Sequence, residues 1–289
     1  LRSIVAIHNG YEFEVSALAT AVELAKAHRA HLRIVHAGYL TRPSAGYFGE
    51  AAAYGGGLQD VIEKHMRADL DRTRSSAQEI CARHGLALSE LASPSLPRAE
   101  FIPLEGVSNR RLIRDLSVTD LIVIGAKEGS AGWLEDSVAN IALFSTGRPI
   151  LVVRPLSDGA PAGINRGNAC IAWSDAAEAT HAVLNTRGLL ATADTVNLIN
   201  ADGRADGDSS DDQRLALDYL HAHEINAKLD LVSKGNRGVA QAVLDRSREL
   251  GCDYLVMGAY GHSMFREKLI GGFSEHMLEQ AEFPLVISH

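Results

Sequence analysis

The residues best placed to do chemistry lie in one stretch, DYLVMGAYGHSMFREKLIGGFSEHML, Asp253–Leu278. Gly258 and Gly261 have two residues between them, Gly271 follows after nine more, Gly272 adjoins it, and Ser274 comes shortly after. Glycine lacks a Cβ, so its N–H can approach an anion closely and its φ can turn positive. A helix beginning near Gly272 would leave its first amides unpaired and partly positive. Phosphate oxygens would satisfy those donors. Ser274 adds a hydroxyl, and His262, Ser263, Arg266 and Lys268 fall in the intervening loop. The chemistry indicated is anion binding rather than bond-making. A structural reading stands beside it. Gly258 and Gly261 would then serve a tight turn, Gly271 and Gly272 close packing of helix on strand, and His262 would face solvent.

Other chemistries find little support. The sequence contains no G-x-S-x-G elbow, no P-loop and no H-E-x-x-H, and no G-x-G-x-x-G follows a first strand. Nothing supplies a nucleophile, a base and an orienting group together, so any hydrolysis of a bound nucleotide is expected to be slow. His221 and His223 would point to different sides of a helix, and no metal site is expected. Cys81, Cys170 and Cys252 are odd in number and widely spaced, which argues against a disulfide framework or a thiolate zinc site. Cys170 and Cys252 read as small core residues.

The elements that must carry the glycines come in two copies. IVAI (Ile4–Ile7) matches CIAW (Cys170–Trp173), and HLRIVHAG (His31–Gly38) matches TVNLINAD (Thr195–Asp202). DLIVIGA (Asp120–Ala126) matches DYLVMGA (Asp253–Ala259), and RPILVVRP (Arg148–Pro155) matches FPLVISH (Phe283–His289). The matches keep their order, so a tandem duplication is predicted. LSDGAPAGINRGN, 156–168, reads as the linker between a unit at 1–155 and a unit at 169–289. Strands are predicted at Ala169–Trp173, Thr195–Asn200, Ala227–Val232, Tyr254–Gly258 and Leu285–Ser288, with helices at Glu178–Ala193 and Val239–Leu250 between them. Near-continuous apolar strands alternating with helices predict a doubly wound α/β fold, five parallel strands to each unit. In such sheets ligands sit outside the carboxyl ends of the strands, where Gly258 falls. GYLTRPSAGYFGEAAAYGGG, Gly38–Gly57, is a long connection before a helix at Leu58–His84, and serves either as surface cover or as a lid or partner-binding loop.

Composition sets outer limits. With 46% apolar residues the 289-residue chain can bury a large core, and a net charge of −8 argues against general binding to nucleic acid or anionic membrane. No apolar run reaches the length of a membrane helix and no signal-peptide pattern opens the chain, so a reducing cytoplasm is the expected compartment.

The G-x₂-G-x₉-G pattern, with the string MGAYGHSMFREKLIGGFSEHML around it and a last strand PLV-I, resembles the nucleotide loop of the universal stress protein family. The resemblance extends over both units. It implies two adenine nucleotide alpha hydrolase-like, Rossmann-like domains forming a pseudo-twofold dimer through their last strands, with an ATP- or AMP-type ligand and Mg accompanying ATP. The residues it places at the ligand are Ala172, Ser174, Asp175, Ala201, Met257, Gly258, Gly261, His262, Arg266, Gly271, Gly272, Phe273 and Ser274. The family carries Asp directly after the first strand. Here Ser174 stands there and Asp175 follows, and either can meet a ribose hydroxyl. Ala201 falls where backbone groups meet adenine. Gly272 replaces a Ser or Thr, whose hydroxyl Ser274 can supply.

The first unit carries an altered copy, DLIVIGAKEGSAGWLEDSVANIAL, Asp120–Leu143. Gly125 is kept, but Glu128 stands for Gly261 and Asp136 for Gly271. A carboxylate would repel phosphate by about 4 kcal/mol for unit charges ~4 Å apart at an effective dielectric near 20. Asp136 and Ser137 would instead cap the next helix. The first unit is therefore expected not to hold ATP in the family manner. Three classes of function follow: a nucleotide-binding stress regulator acting on a protein partner, an interaction module that binds no nucleotide, and a slow ATPase or small-metabolite carrier.

Overall fold

Runs of Ile, Val and Leu too short for helices form the strands, and Ala-rich segments between them form the helices. The computed structural model describes residues 1–37, 57–89, 95–104, 109–126, 137–164, 166–201, 207–259 and 272–289. The first half comprises β1 (Ser3–Ile7), α1 (Val15–His28), β2 (His31–His36), α2 (Gly57–Arg83), β3 (Arg98–Pro103), α3 (Asn109–Ser117), β4 (Leu121–Gly125), α4 (Ser137–Ser145) and β5 (Ile150–Val153). The second repeats the order with β6 (Asn168–Ala172), α5 (Ala177–Leu190), β7 (Thr195–Asn200), α6 (Gly207–Ala222), β8 (Ala227–Leu231), α7 (Val239–Glu249), β9 (Tyr254–Gly258), α8 (Gly272–Gln280) and β10 (Leu285–Ser288).

All these strands join one sheet in the order β3-β2-β1-β4-β5-β10-β9-β6-β7-β8. Each half is the doubly wound parallel unit expected from the sequence. The halves meet where β5 and β10 pair antiparallel, Leu151 opposite Val286. Each last strand thereby covers the apolar edge of the other, which would otherwise invite aggregation.

Every residue of β4, β5 and β10 is buried, as a sheet covered on both faces requires. One core layer lies under α1, α2, α5 and α6, with Leu18, Val22, Ile80, Val183 and Leu220 meeting Ile4, Leu32, Val196 and Tyr254. The other lies under α3, α4, α7 and α8, with Leu112, Leu143, Val243 and Met277 meeting Val5, Ile122, Leu255 and Ile287. The seam segment runs along α1, where Leu156 N–H donates to Ser16 Oγ at 2.9 Å and Ala162 N–H to Thr20 Oγ1 at 2.8 Å.

The strand register corrects one internal match. Ile4 pairs with Leu121 and Ala169 with Tyr254, and Leu121 and Tyr254 open the matching strands β4 and β9. Ile4–Ile7 therefore corresponds to Ala169–Ala172, one residue earlier than the match to Cys170–Trp173. Trp173 is apolar and extends the strand-like run in the sequence, but it lies beyond the strand and corresponds to His8. The main-chain bonds agree: His8 N–H donates to Val35 O at 3.0 Å and Trp173 N–H to Ile199 O at 2.9 Å.

Candidate functional site

In each half the strand order reverses beside the first strand, between β1 and β4 and between β6 and β9. Such a switch point leaves a crevice outside the carboxyl ends of the strands. In the second half Ala172 ends β6 beside Met257 of β9. Ala201 follows β7 and is buried. The turn after β6 carries Ser174, whose Oγ accepts the Ala176 N–H at 3.4 Å, and exposed Asp175. Helix α5 starts there with Ala176 as its N-cap and no side chain bonded to its first amides. Met257 is fully buried in the core, so only its backbone can face the crevice.

Gly272 opens α8, and a Cβ built on it would meet nothing within 4 Å. Among the described residues, then, nothing crowds the α-carbon at which α8 begins. Phe273 is half-buried against the core and Ser274 is buried. Gly258 has a different reason for being glycine. A Cβ there would sit 2.5 Å from the carbonyl carbon of Glu178 and 2.6 Å from Ala179 N, so it lets the first turn of α5 close on the strand end. Gly125 does the same in the first half, where a Cβ would stand 2.8 Å from Glu14 Cα and from Phe13 O. Gly261, His262, Ser263, Arg266, Lys268 and Gly271 lie outside the described residues, as do Glu128, Asp136 and 38–56 of the long connection.

In the first half the turn after β1 is held from within by a carboxylate. The carboxylate of buried Glu14 accepts the Asn9 N–H at 2.7 Å and the Tyr11 N–H at 3.1 Å through one oxygen, and Asn9 Nδ2–H at 3.3 Å through the other. Asn9 Oδ1 in turn accepts the Ala37 N–H at 2.8 Å. His8 is fully buried, with Nδ1 3.5 Å from Glu14 Oε2 and Nε2 3.2 Å from Ser76 Oγ. Burial, and secondarily His36, pushes the His8 pKa down to about 4, so its ring is neutral near pH 7. Two backbone amides of this turn are thus already bonded to a carboxylate of the chain.

Among the described residues the second half has no carboxylate at the corresponding position. The β1–β6 correspondence of Ile4 with Ala169 carries Glu14 onto Ala179, and the glycine contacts agree, since Gly125 abuts Glu14 and Gly258 abuts Ala179. A methyl group stands where the first half places its anion. Sequence reading singled out Glu128 and Asp136 and passed over Glu14. The signal that could have found it is a Glu three residues beyond a turn residue, reaching back to that residue's N–H as in a capping box.

Two doubly wound units sharing one sheet through their last strands define a tandem α/β pair. A universal stress protein from Archaeoglobus fulgidus DSM 4304 has this arrangement, with a TM-score of 0.65 at 14% identity over 99% of this chain and 97% of that one. UspA of Lactobacillus plantarum aligns with 43% of this chain over 97% of its own length, at 12% identity and a TM-score of 0.35. No family model matches the sequence, and no curated protein matches it. The chain has the tandem universal stress protein fold. Among the described residues no helix is long and apolar enough to cross a membrane, and no group of His, Cys, Asp and Glu could hold a metal ion.

Proposed function

We propose that this protein is a cytoplasmic stress-response regulator that binds an adenine nucleotide, ATP or AMP in type, at the crevice of its second half and there alone. Fold by itself does not specify function, so the reading rests on the contrast between two sister crevices. The single observation that carries it is the exchange of Glu14 for Ala179. One crevice has amides of its first turn held by an internal carboxylate; in the other Ala179 takes that place, α5 starts without a side-chain cap, as α1 does, and among the described residues nothing stands within 4 Å of a Cβ built on Gly272. Uncapped helix starts attract anions. In this reading Ser174 or Asp175 meets the ribose, the backbone at Ala201 meets adenine, and Gly258, Gly272, Phe273 and Ser274 border the phosphates, with Gly261, His262, Arg266 and Gly271 on the connecting loop. If the ligand is ATP, Mg bound to its phosphates would accompany it. The state of the site would be passed to a protein partner.

Titration of ATP into the full chain tests this. A ligand at 100 times its dissociation constant stabilises the folded protein by about 2.7 kcal/mol. ATP should raise the melting temperature of the native chain, and Ala179→Glu, which copies the first-half carboxylate, should remove that shift. No stabilisation of the native chain by ATP, ADP or AMP, or an equal shift in Ala179→Glu, would refute the proposal.

A further inference from the structure

A second cavity lies on the outer face of the second half, between α5 and α6. It has a volume of about 310 Å³ and is lined by Trp173, Asp175, Thr180, Val183, Leu184, Asp212, Leu215, Ala216 and Tyr219. Helices α1 and α2, the sister pair in the first half, pack directly on each other, whereas α5 and α6 make far less contact. The gap between them is apolar at its base, with Val183 and Ala216 buried. Part of its rim is apolar too. Leu184 is 44% and Leu215 61% exposed, so two of the large apolar side chains that the protein leaves in water flank one cleft. The size falls at the lower end of ligand pockets, about 300–1,000 Å³.

Charge decides what could fill it. Asp175 and Asp212 are exposed, and neither carboxylate has a hydrogen bond or ion pair among the described residues. Among the described residues no cation lines the cleft. The nearby Arg187 points its guanidinium at Tyr219 Oη and His223 Nε2, at 3.5 and 3.4 Å, and Arg214 pairs with Asp211 at 3.7 Å. An anion would therefore meet two unneutralised negative charges, which separates this cleft from the nucleotide crevice. The indole of Trp173 and the phenol ring of Tyr219 add two aromatic surfaces, which attract cations as well as apolar groups.

We propose that the α5–α6 cleft binds a small organic cation with an apolar body, an alkyl- or arylammonium. The charge would sit between Asp175 and Asp212, and the body against Val183, Leu184, Leu215 and Ala216. The proposal does not depend on nucleotide binding. Asp175 nevertheless belongs to both sites, and a cation held in the cleft would bias the loop that also borders the nucleotide crevice.

Benzyltrimethylammonium, titrated into the full chain and followed by amide NMR, tests the assignment. It should shift α5 and α6 resonances in a saturable way, and benzoate of similar size should not. Asp212→Asn should weaken binding by about threefold to fivefold, the effect of removing one exposed charge. Thr180→Arg, which places a tethered cation at the mouth, should abolish it. Benzoate binding as tightly, resonance shifts confined to other elements, or unchanged affinity in Asp212→Asn would overturn the proposal even if Thr180→Arg failed to fold. Concentration-dependent dimerisation that Thr180→Arg prevents would assign the face to a second copy of the chain, and would overturn it as well.

Discussion

Replacing Glu14 by Gln tests how firmly the first crevice is closed. The side chain is buried and its carboxylate accepts three N–H groups, at 2.7, 3.1 and 3.3 Å. An amide has one oxygen and turns a donor toward part of this set. Either the pair from Asn9 and Tyr11 or the Asn9 side chain loses its acceptor. A hydrogen bond to a charged group contributes about 1.5–3 kcal/mol, and a buried donor left unsatisfied costs a similar amount, so a loss of about 2–4 kcal/mol is expected. At roughly 2–4 °C per kcal/mol for a domain of ordinary size, the melting temperature should fall by about 5–10 °C. Differential scanning calorimetry near pH 7 with the native chain alongside reads this directly. A fall below about 1 °C would show that the carboxylate does not hold the loop, and the contrast between the crevices would lose its physical basis.

Further outcomes follow from the same geometry. Gly125→Ala and Gly258→Ala each press a methyl group on backbone atoms at 2.8 and 2.5 Å, and should each cost about 1–3 kcal/mol in urea unfolding; unchanged midpoints would mean that α1 and α5 retreat freely. The His8 pKa is about 4 in the folded protein and about 6.5 when unfolded, so its stabilisation is complete above about pH 6.5 and is lost as pH falls toward 4. The amount is on the order of 3 kcal/mol, and the stability of His8→Gln should fall less steeply over that window; parallel curves for the two proteins would contradict the neutral buried ring. Val286→Asp puts a carboxylate opposite Leu151 inside the shared sheet and should cost several kcal/mol, with proteolysis appearing at the seam. A variant that melts like the native chain would show the pairing to be dispensable.

The fold was legible because its signals are strong and repeated. Continuous apolar runs such as Leu121–Gly125 and Leu285–Ser288 have few ways to be buried other than in a covered parallel sheet, and they recur in order. What the sequence offers for the candidate site concerns the main chain. Gly272 was singled out for its missing side chain, and among the described residues no atom stands within 4 Å of a Cβ built there. Gly258 drew attention for the same reason, yet its neighbours show a packing need that would exist without any ligand. Trp173 misled, because an indole one residue past a strand has the same apolar character as the strand itself. Glu14 went unnoticed because its role depends on three turn amides brought together by the folded loop. Asp212 and Tyr219 reach Trp173 and Asp175 only through the packing of α6 beside α5, a proximity that spacing along the chain does not encode.

The antiparallel seam between β5 and β10 joins two copies that belong to one polypeptide. In an assembly of two identical chains, any change that sealed one mouth would seal its twin as well, and the whole particle would go blind. Covalent fusion lifts that constraint. On the function proposed above, one lobe was free to harden around Glu14 while the other kept its opening, so a lopsided molecule could arise from a symmetric ancestor without an interval in which neither lobe worked.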